Sequence, residues 1–194
     1  MNICVFGAAS KDIDAKYRDA GYELGFQLAK RGHDLVFGGG DTGMMGASAR
    51  GTHDGGGRVT GIAPSFFNVD GVLYQHHDEL IYTDTMRQRK QKMEDLSQAF
   101  IVTPGGTGTF EEFFEILTLK QLGKLDKPIA ILNTDKYFDP MLKMLHYSAE
   151  ENFLSEKNFE LFFVSDDIGK VLDFIEHPAV IDFDINELRR LKWH

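Results

Sequence analysis

Short, unbroken apolar runs at residues 2–6, 34–37, 58–62, 80–82, 99–102, 128–133 and 161–165 punctuate the chain. None alternates apolar with polar positions, so each predicts a strand covered on both faces. The stretches between them follow helical spacing. Ile13, Tyr17, Leu24 and Leu28 mark a first helix that Gly32 ends, and Met86, Arg89, Met93, Leu96 and Phe100 fall on one stripe at steps of three and four. Further helices are expected after Gly108, from Pro140 to Glu151 and from Asp167 to Glu176. Strands alternating with helices predict an α/β fold: a Rossmann-like, doubly wound parallel sheet in three αβα layers. One domain over residues 1–194 suits this length. The segment from Pro64 to Glu79 has no period and reads as a loop near a pocket mouth, and an amphipathic tail with Ile181, Phe183, Ile185, Leu188 and Trp193 has no assigned place.

Three strand ends run into small residues. Gly7-Ala8-Ala9-Ser10 follows the first run, Gly38-Gly39-Gly40-Asp41-Thr42-Gly43-Met44-Met45-Gly46 the second, and Thr103-Pro104-Gly105-Gly106-Thr107-Gly108-Thr109-Phe110-Glu111-Glu112 the fifth. A strand, a glycine turn and a helix start make an anion site, because the first helical N–H groups lack partners and the dipole there is positive. Glu111 and Glu112 then stand one turn in, within reach of a sugar attached to a bound phosphate. Ser10 has two readings, a phosphate contact or the cap of the first helix. Close packing of helix on sheet explains Gly46 well and Gly39 poorly. The turn lacks the Lys-Ser/Thr ending of a P-loop, and no dinucleotide fingerprint is complete.

Arg89 shares its stripe with apolar residues. A core-facing guanidinium requires an anion, either a phosphate or a carboxylate such as Glu112. On the helix after Gly108, the residues Gly108, Glu111, Glu112, Glu115 and Thr118 read as a polar side. Phe110, Phe113, Phe114 and Leu117 read as the apolar side, facing the sheet or a partner subunit. Thr85 or Asp84 would cap the helix carrying Arg89.

The string Pro-Gly-Gly-x-Gly-Thr-x-x-Glu, from Pro104 to Glu112, resembles the signature of the LONELY GUY family of cytokinin-activating nucleoside monophosphate phosphoribohydrolases, often labelled lysine decarboxylase-like. Met86-x-x-Arg89-Lys90 is similar to the companion motif of that family, in the same order, and the likeness runs from Val5 to about Ile175. The whole run from Gly38 to Gly46 resembles the family's second glycine segment, which is expected to border the nucleotide. The first turn departs from it, with Ala8-Ala9 where the family more often has Ser-Ser, and Asp70 is only the nearest counterpart of an acidic family residue. The resemblance implies cleavage of the N-glycosidic bond of a nucleoside 5′-monophosphate. It assigns Glu112 to stabilise the sugar cation and orient water, with Arg89 fixing nucleotide and carboxylate. Lys90, Gly39, Gly105, Gly106, Thr107, Gly108, Thr109, Glu111 and Thr118 would bind phosphate and ribose, with no cofactor and no metal. The family is usually dimeric, so a homodimer is expected.

Composition narrows the alternatives. A net charge of −9 argues against nucleic-acid and anionic membrane surfaces. Cys4 is the single cysteine and lies in the first apolar run, so a buried, inert thiol in the cytoplasm is expected. His76-His77 has no further ligand at metal spacing. A nucleotide or cofactor carrier would use the same glycine turns without needing Arg89 and Glu112 together. Lysine decarboxylation would need a pyridoxal-phosphate lysine, and none stands out.

Overall fold

The computed structural model describes residues 1–178; the tail from Ile181 to Trp193 lies outside the described residues. Seven strands form one parallel sheet among these residues: β1 (Asn2–Phe6), β2 (Asp34–Phe37), β3 (Val59–Pro64), β4 (Glu79–Thr83), β5 (Ala99–Val102), β6 (Ile129–Leu132) and β7 (Phe163–Ser165). Their order is β4-β3-β2-β1-β5-β6-β7. The chain winds outward from β1 to β4, then returns to the other side of β1 and winds outward again. The reversal lies between β1 and β5, and open sheets of this kind bind ligands in the crevice at that point. The register sets Val5 beside Ile101 and Phe6 beside Val102, so the turns leaving these two strands start side by side.

Helices cover both faces. Helices α1 (Ala15–Lys30), α2 (Gly43–Gly55) and α6 (Ile168–Glu176) share one core with Ile3, Val5, Leu35 and Ile101. Helices α3 (Met86–Leu96), α4 (Thr107–Gln121) and α5 (Asp139–Glu150) cover the other, packing Met93, Phe113, Ile116, Met141 and Leu145 on Phe6, Phe100 and Ile131. Strand residues enter both clusters, which is why their sequences do not alternate. Cys4 is fully buried, and burial pushes its thiol well up.

Several local expectations change. Asp14, not Ser10, caps α1 by accepting from the Lys16 amide, while the Ser10 hydroxyl accepts from the Asp12 amide. Thr85 caps α3 through a reciprocal capping box with Gln88. The stripe on α3 is shorter than its spacing suggests: the helix stops at Leu96, Phe100 belongs to β5, and Met86 is exposed. Gly46 lies where an added Cβ would stand 1.7 Å from the Asp41 carbonyl, so its bareness serves the turn entering α2 rather than helix–sheet packing.

The segment read as a loop is partly a packed strap. Pro64 ends β3, Ser65–Phe67 form a 3-10 turn, and Leu73 and Tyr74 are buried against the glycines after β2. Its two histidines diverge. His76 is exposed, whereas His77 packs against the Phe37 ring at 5.6 Å.

Candidate active site

The turn from Pro104 to Gly106 is braced from below and open above. The Thr103 hydroxyl donates to the Phe6 carbonyl at 2.9 Å, the Ala8 amide donates to the Pro104 carbonyl at 3.1 Å, and the Tyr137 hydroxyl donates to the Gly105 carbonyl at 2.6 Å. Gly105 must be bare, because a Cβ there would lie 2.0 Å from the Thr109 hydroxyl. At Gly106 and Gly108 an added Cβ would meet nothing within 4 Å, so the Cα atoms of the turn border open space. Gly106 is the N-cap of α4 and supplies no side-chain acceptor, leaving the amides of the first turn for an anion. Thr107 and Gly108 are exposed and Thr109 is buried.

Below the turn lies the buried ion pair. Arg89 donates through Nη1 to Glu112 Oε1 at 2.9 Å and through Nε to the Ile62 carbonyl at 3.0 Å. The side chains are 5% and 10% exposed, so the guanidinium is desolvated and depends on this carboxylate, as the stripe on α3 implied. Burial pushes the Glu112 carboxyl above its ordinary range, an effect that Arg89 only partly offsets. Glu112 therefore belongs to the inward face of α4, beside Thr109, Phe113 and Ile116, rather than to the polar side on which its charge had placed it.

Lys90 joins the outer acids. Its ammonium donates to Glu111 at 2.8 Å and pairs with Glu115 at 2.5 Å. Burial draws the Lys90 pKa down, but the two carboxylates outweigh it and the net direction is up. Glu111 is exposed and lies beside the open turn. Thr118 is exposed farther along α4, its hydroxyl donating to the Phe114 carbonyl at 2.7 Å. A cavity of about 330 Å³ opens between α3 and α4, floored by Phe6, Phe100, Ile116 and Leu119 and edged by Glu112, Lys90 and Glu115.

The structure thus gathers Arg89, Lys90, Glu111, Glu112 and the turn from Gly105 to Thr109; Gly39 follows Gly38, which lies against Arg89, and Thr118 stands apart. Gly39 is buried under Leu73 in the left-handed region, φ +80°, and its carbonyl accepts from the Tyr74 amide. Thr118 is separated from the turn by three helical turns. The sequence sets Gly38 in a ligand-bordering run without its contact to Arg89, and it shows no sign of the Tyr137 brace. A Cβ on Gly38 would stand 1.9 Å from Arg89 Nη2, and neither role has a local sequence signal because each depends on a contact across the sheet. Among the described residues no group of three or more His, Cys, Asp or Glu side chains is arranged to hold a metal ion.

Fold and site together define a doubly wound α/β protein with an open glycine turn at its switch point and a buried arginine–glutamate pair beside it. The chain belongs to the family described as "Possible lysine decarboxylase", whose model matches residues 45–175, and which here includes the LONELY GUY phosphoribohydrolases. It is 37% identical over 183 residues to cytokinin riboside 5'-monophosphate phosphoribohydrolase LOG2 of Arabidopsis thaliana, covering 93% of this chain and 86% of that one. It is 40% identical over 154 residues to the LOG enzyme of that name from Oryza sativa subsp. japonica, covering 79% of this chain and 64% of that one. Among solved structures, the molybdenum cofactor binding protein of Rippkaea orientalis superposes with a TM-score of 0.69 at 20% identity, over 90% of this chain and 94% of that one. The molybdenum cofactor carrier protein of Chlamydomonas reinhardtii does so at 0.67 and 22%, over the same shares. Identities this low establish a shared fold alone.

Proposed function

We propose that the protein hydrolyses the N-glycosidic bond of adenosine 5′-monophosphates, N6-modified ones included, releasing the free base and ribose 5-phosphate. The observation that carries the reading is the buried Arg89–Glu112 pair beside the uncapped start of α4, in a chain at 37–40% identity to enzymes named for this reaction. The amides from Gly105 to Thr109 hold the phosphate, and Glu111 and Lys90 bind ribose and phosphate oxygens at the rim. As the C1′–N bond breaks, its electron pair leaves with the base, which takes up a proton from solvent, and the sugar becomes oxocarbenium-like. The Glu112 carboxylate stabilises that cation and accepts a proton from the water whose oxygen bonds to C1′. Arg89 holds the carboxylate in place and favours its ionised form.

The arrangement is completed by a second copy of the chain. Thr118 follows Thr107 by eleven residues, which at about 1.5 Å per residue is roughly 16 Å along α4, too far to meet the nucleotide held at the same helix start. A homodimer that packs two α4 helices against each other brings the partner's side chain there. Lysine decarboxylation fits the site poorly: Lys90, the lysine beside Glu112, is held protonated by two carboxylates, whereas a Schiff base needs a free amine. The cytoplasm, where Cys4 stays reduced, is the matching compartment.

The test is incubation with AMP, GMP, CMP and N6-isopentenyl-AMP, with Glu112→Gln in parallel, measuring free base and ribose 5-phosphate. Release that Glu112→Gln abolishes in a folded protein supports the hydrolase. Binding without release from any of the four nucleotides overturns it and favours a carrier.

A further inference from the structure

We infer that Gly38 is a positioning residue for the reaction: its missing side chain is the shelf on which the Arg89 guanidinium lies, and that shelf keeps Arg89 on Glu112. The inference rests on the hydrolase reading for its kinetic consequence, but its structural part stands without it.

A Cβ on Gly38 would fall 1.9 Å from Arg89 Nη2, far inside contact distance, with Arg89 Cζ and Met45 Sδ each tight at 3.1 Å. Gly38 has no positive φ, so it is not the left-handed region that calls for glycine there but the space beside Arg89. Two groups could retreat from an added methyl, the turn or the arginine. The turn is strapped on its far side: the Tyr74 amide donates to the Gly39 carbonyl at 2.9 Å, the Asp41 amide to the Val72 carbonyl at 3.0 Å, and Gly40 pairs with Leu73. The strap is tied in turn to α2, where the Tyr74 hydroxyl and His53 Nδ1 lie 2.8 Å apart. Arg89 yields instead. Among the described residues its head is held by the Ile62 carbonyl and by Glu112, and it is the free end of a long side chain. Moving Nη2 outward by the 1.5 Å or so that ordinary contact demands breaks one of those bonds. Gly38 therefore serves the ion pair by fixing its cation, which is a different task from cradling phosphate.

The experiment is a double-mutant cycle of Gly38→Ala and Arg89→Ala, read by thermal unfolding and by nucleotide hydrolysis. Gly38→Ala alone is expected to lower the melting temperature and to lower kcat by about 10²-fold, the scale for displacing a catalytic group by an ångström or more, with KM changing much less. In the Arg89→Ala background the same substitution is expected to leave the melting temperature nearly unchanged, because the guanidinium it strikes is gone and Met45 Sδ, at 3.1 Å, has only a few tenths of an ångström to give. The acid limb of the Gly38→Ala pH profile is expected to move to higher pH, since Glu112 loses the charge that holds it ionised; a general loss of packing lowers the amplitude without moving the limb. Equal losses in both backgrounds would overturn the inference. If no nucleotide is hydrolysed at all, the unfolding cycle still decides the role of Gly38, so failure of the hydrolase reading is seen separately. Should Gly38→Ala not fold alone, folding of the Gly38→Ala/Arg89→Ala protein supports the inference, and its failure where Arg89→Ala alone folds overturns it.

Discussion

Removing Arg89 should cost more stability than removing Arg89 and Glu112 together. The pair is 2.9 Å apart with side chains 5% and 10% exposed, so each ion has given up most of its water. Arg89→Met keeps the volume but leaves the Glu112 carboxylate buried and uncompensated, for which breaking a buried pair typically costs about 3–5 kcal/mol. The lower end applies here, because burial already pushes the Glu112 carboxyl up and it can take a proton instead of remaining charged. Adding Glu112→Leu removes the stranded group, and replacement of a buried pair by apolar residues of similar size is often neutral or stabilising. Urea unfolding of the wild type, both single variants and the double variant gives the coupling. In a domain of this size each kcal/mol also shifts the melting temperature by about 2–4 °C, which provides a second reading. A single variant that loses less than about 1 kcal/mol, or a double variant that loses the sum of the singles, would refute the desolvated pair and with it the basis for the raised Glu112 pKa.

Other consequences are as direct. Because Glu112 acts as a carboxylate and its pKa is raised by burial, the acid limb of kcat should lie above the ordinary glutamate value of about 4.3. The sign for stability is opposite: the folded carboxyl binds its proton more tightly than the unfolded one, so its contribution is largest below the unfolded pKa and is lost as pH rises through the folded value. A limb at or below 4.3, or a stability profile that Glu112→Gln leaves unchanged, would contradict this. Tyr137→Phe removes the 2.6 Å bond to the Gly105 carbonyl, worth about 1 kcal/mol, and should raise KM roughly fivefold with kcat nearly kept; an unchanged KM would mean the turn holds without it. Gly51→Ala puts a methyl 2.0 Å from the Tyr22 carbonyl where α1 crosses α2, and overpacking of about 1–3 kcal/mol should exceed the roughly 1 kcal/mol that alanine gains in helix propensity. A higher melting temperature for that variant would show the crossing to be looser than the contact implies.

Much was present in the sequence because it is local or periodic. Apolar runs without alternation determined a sheet buried on both faces, and the glycine strings marked the ends of its strands at the proposed site. The arginine among the apolar residues of α3 required a buried anion, and Glu112 is that anion. Helix ends were less legible, since Ser10 and Asp14 have similar capping chemistry and only the entry angle of the chain chooses Asp14. The face of α4 was misread for a physical reason: side-chain charge assigns a residue to solvent, and only the presence of Arg89 on the neighbouring helix lets Glu112 turn inward with Phe113. The functions of Gly38 and Tyr137 were invisible because both depend on partners 51 and 32 positions away, Arg89 and Gly105, that the winding of the sheet brings together. Local pattern determined the layers and the chemistry available; the reversal of the sheet between β1 and β5 decided which of those groups meet.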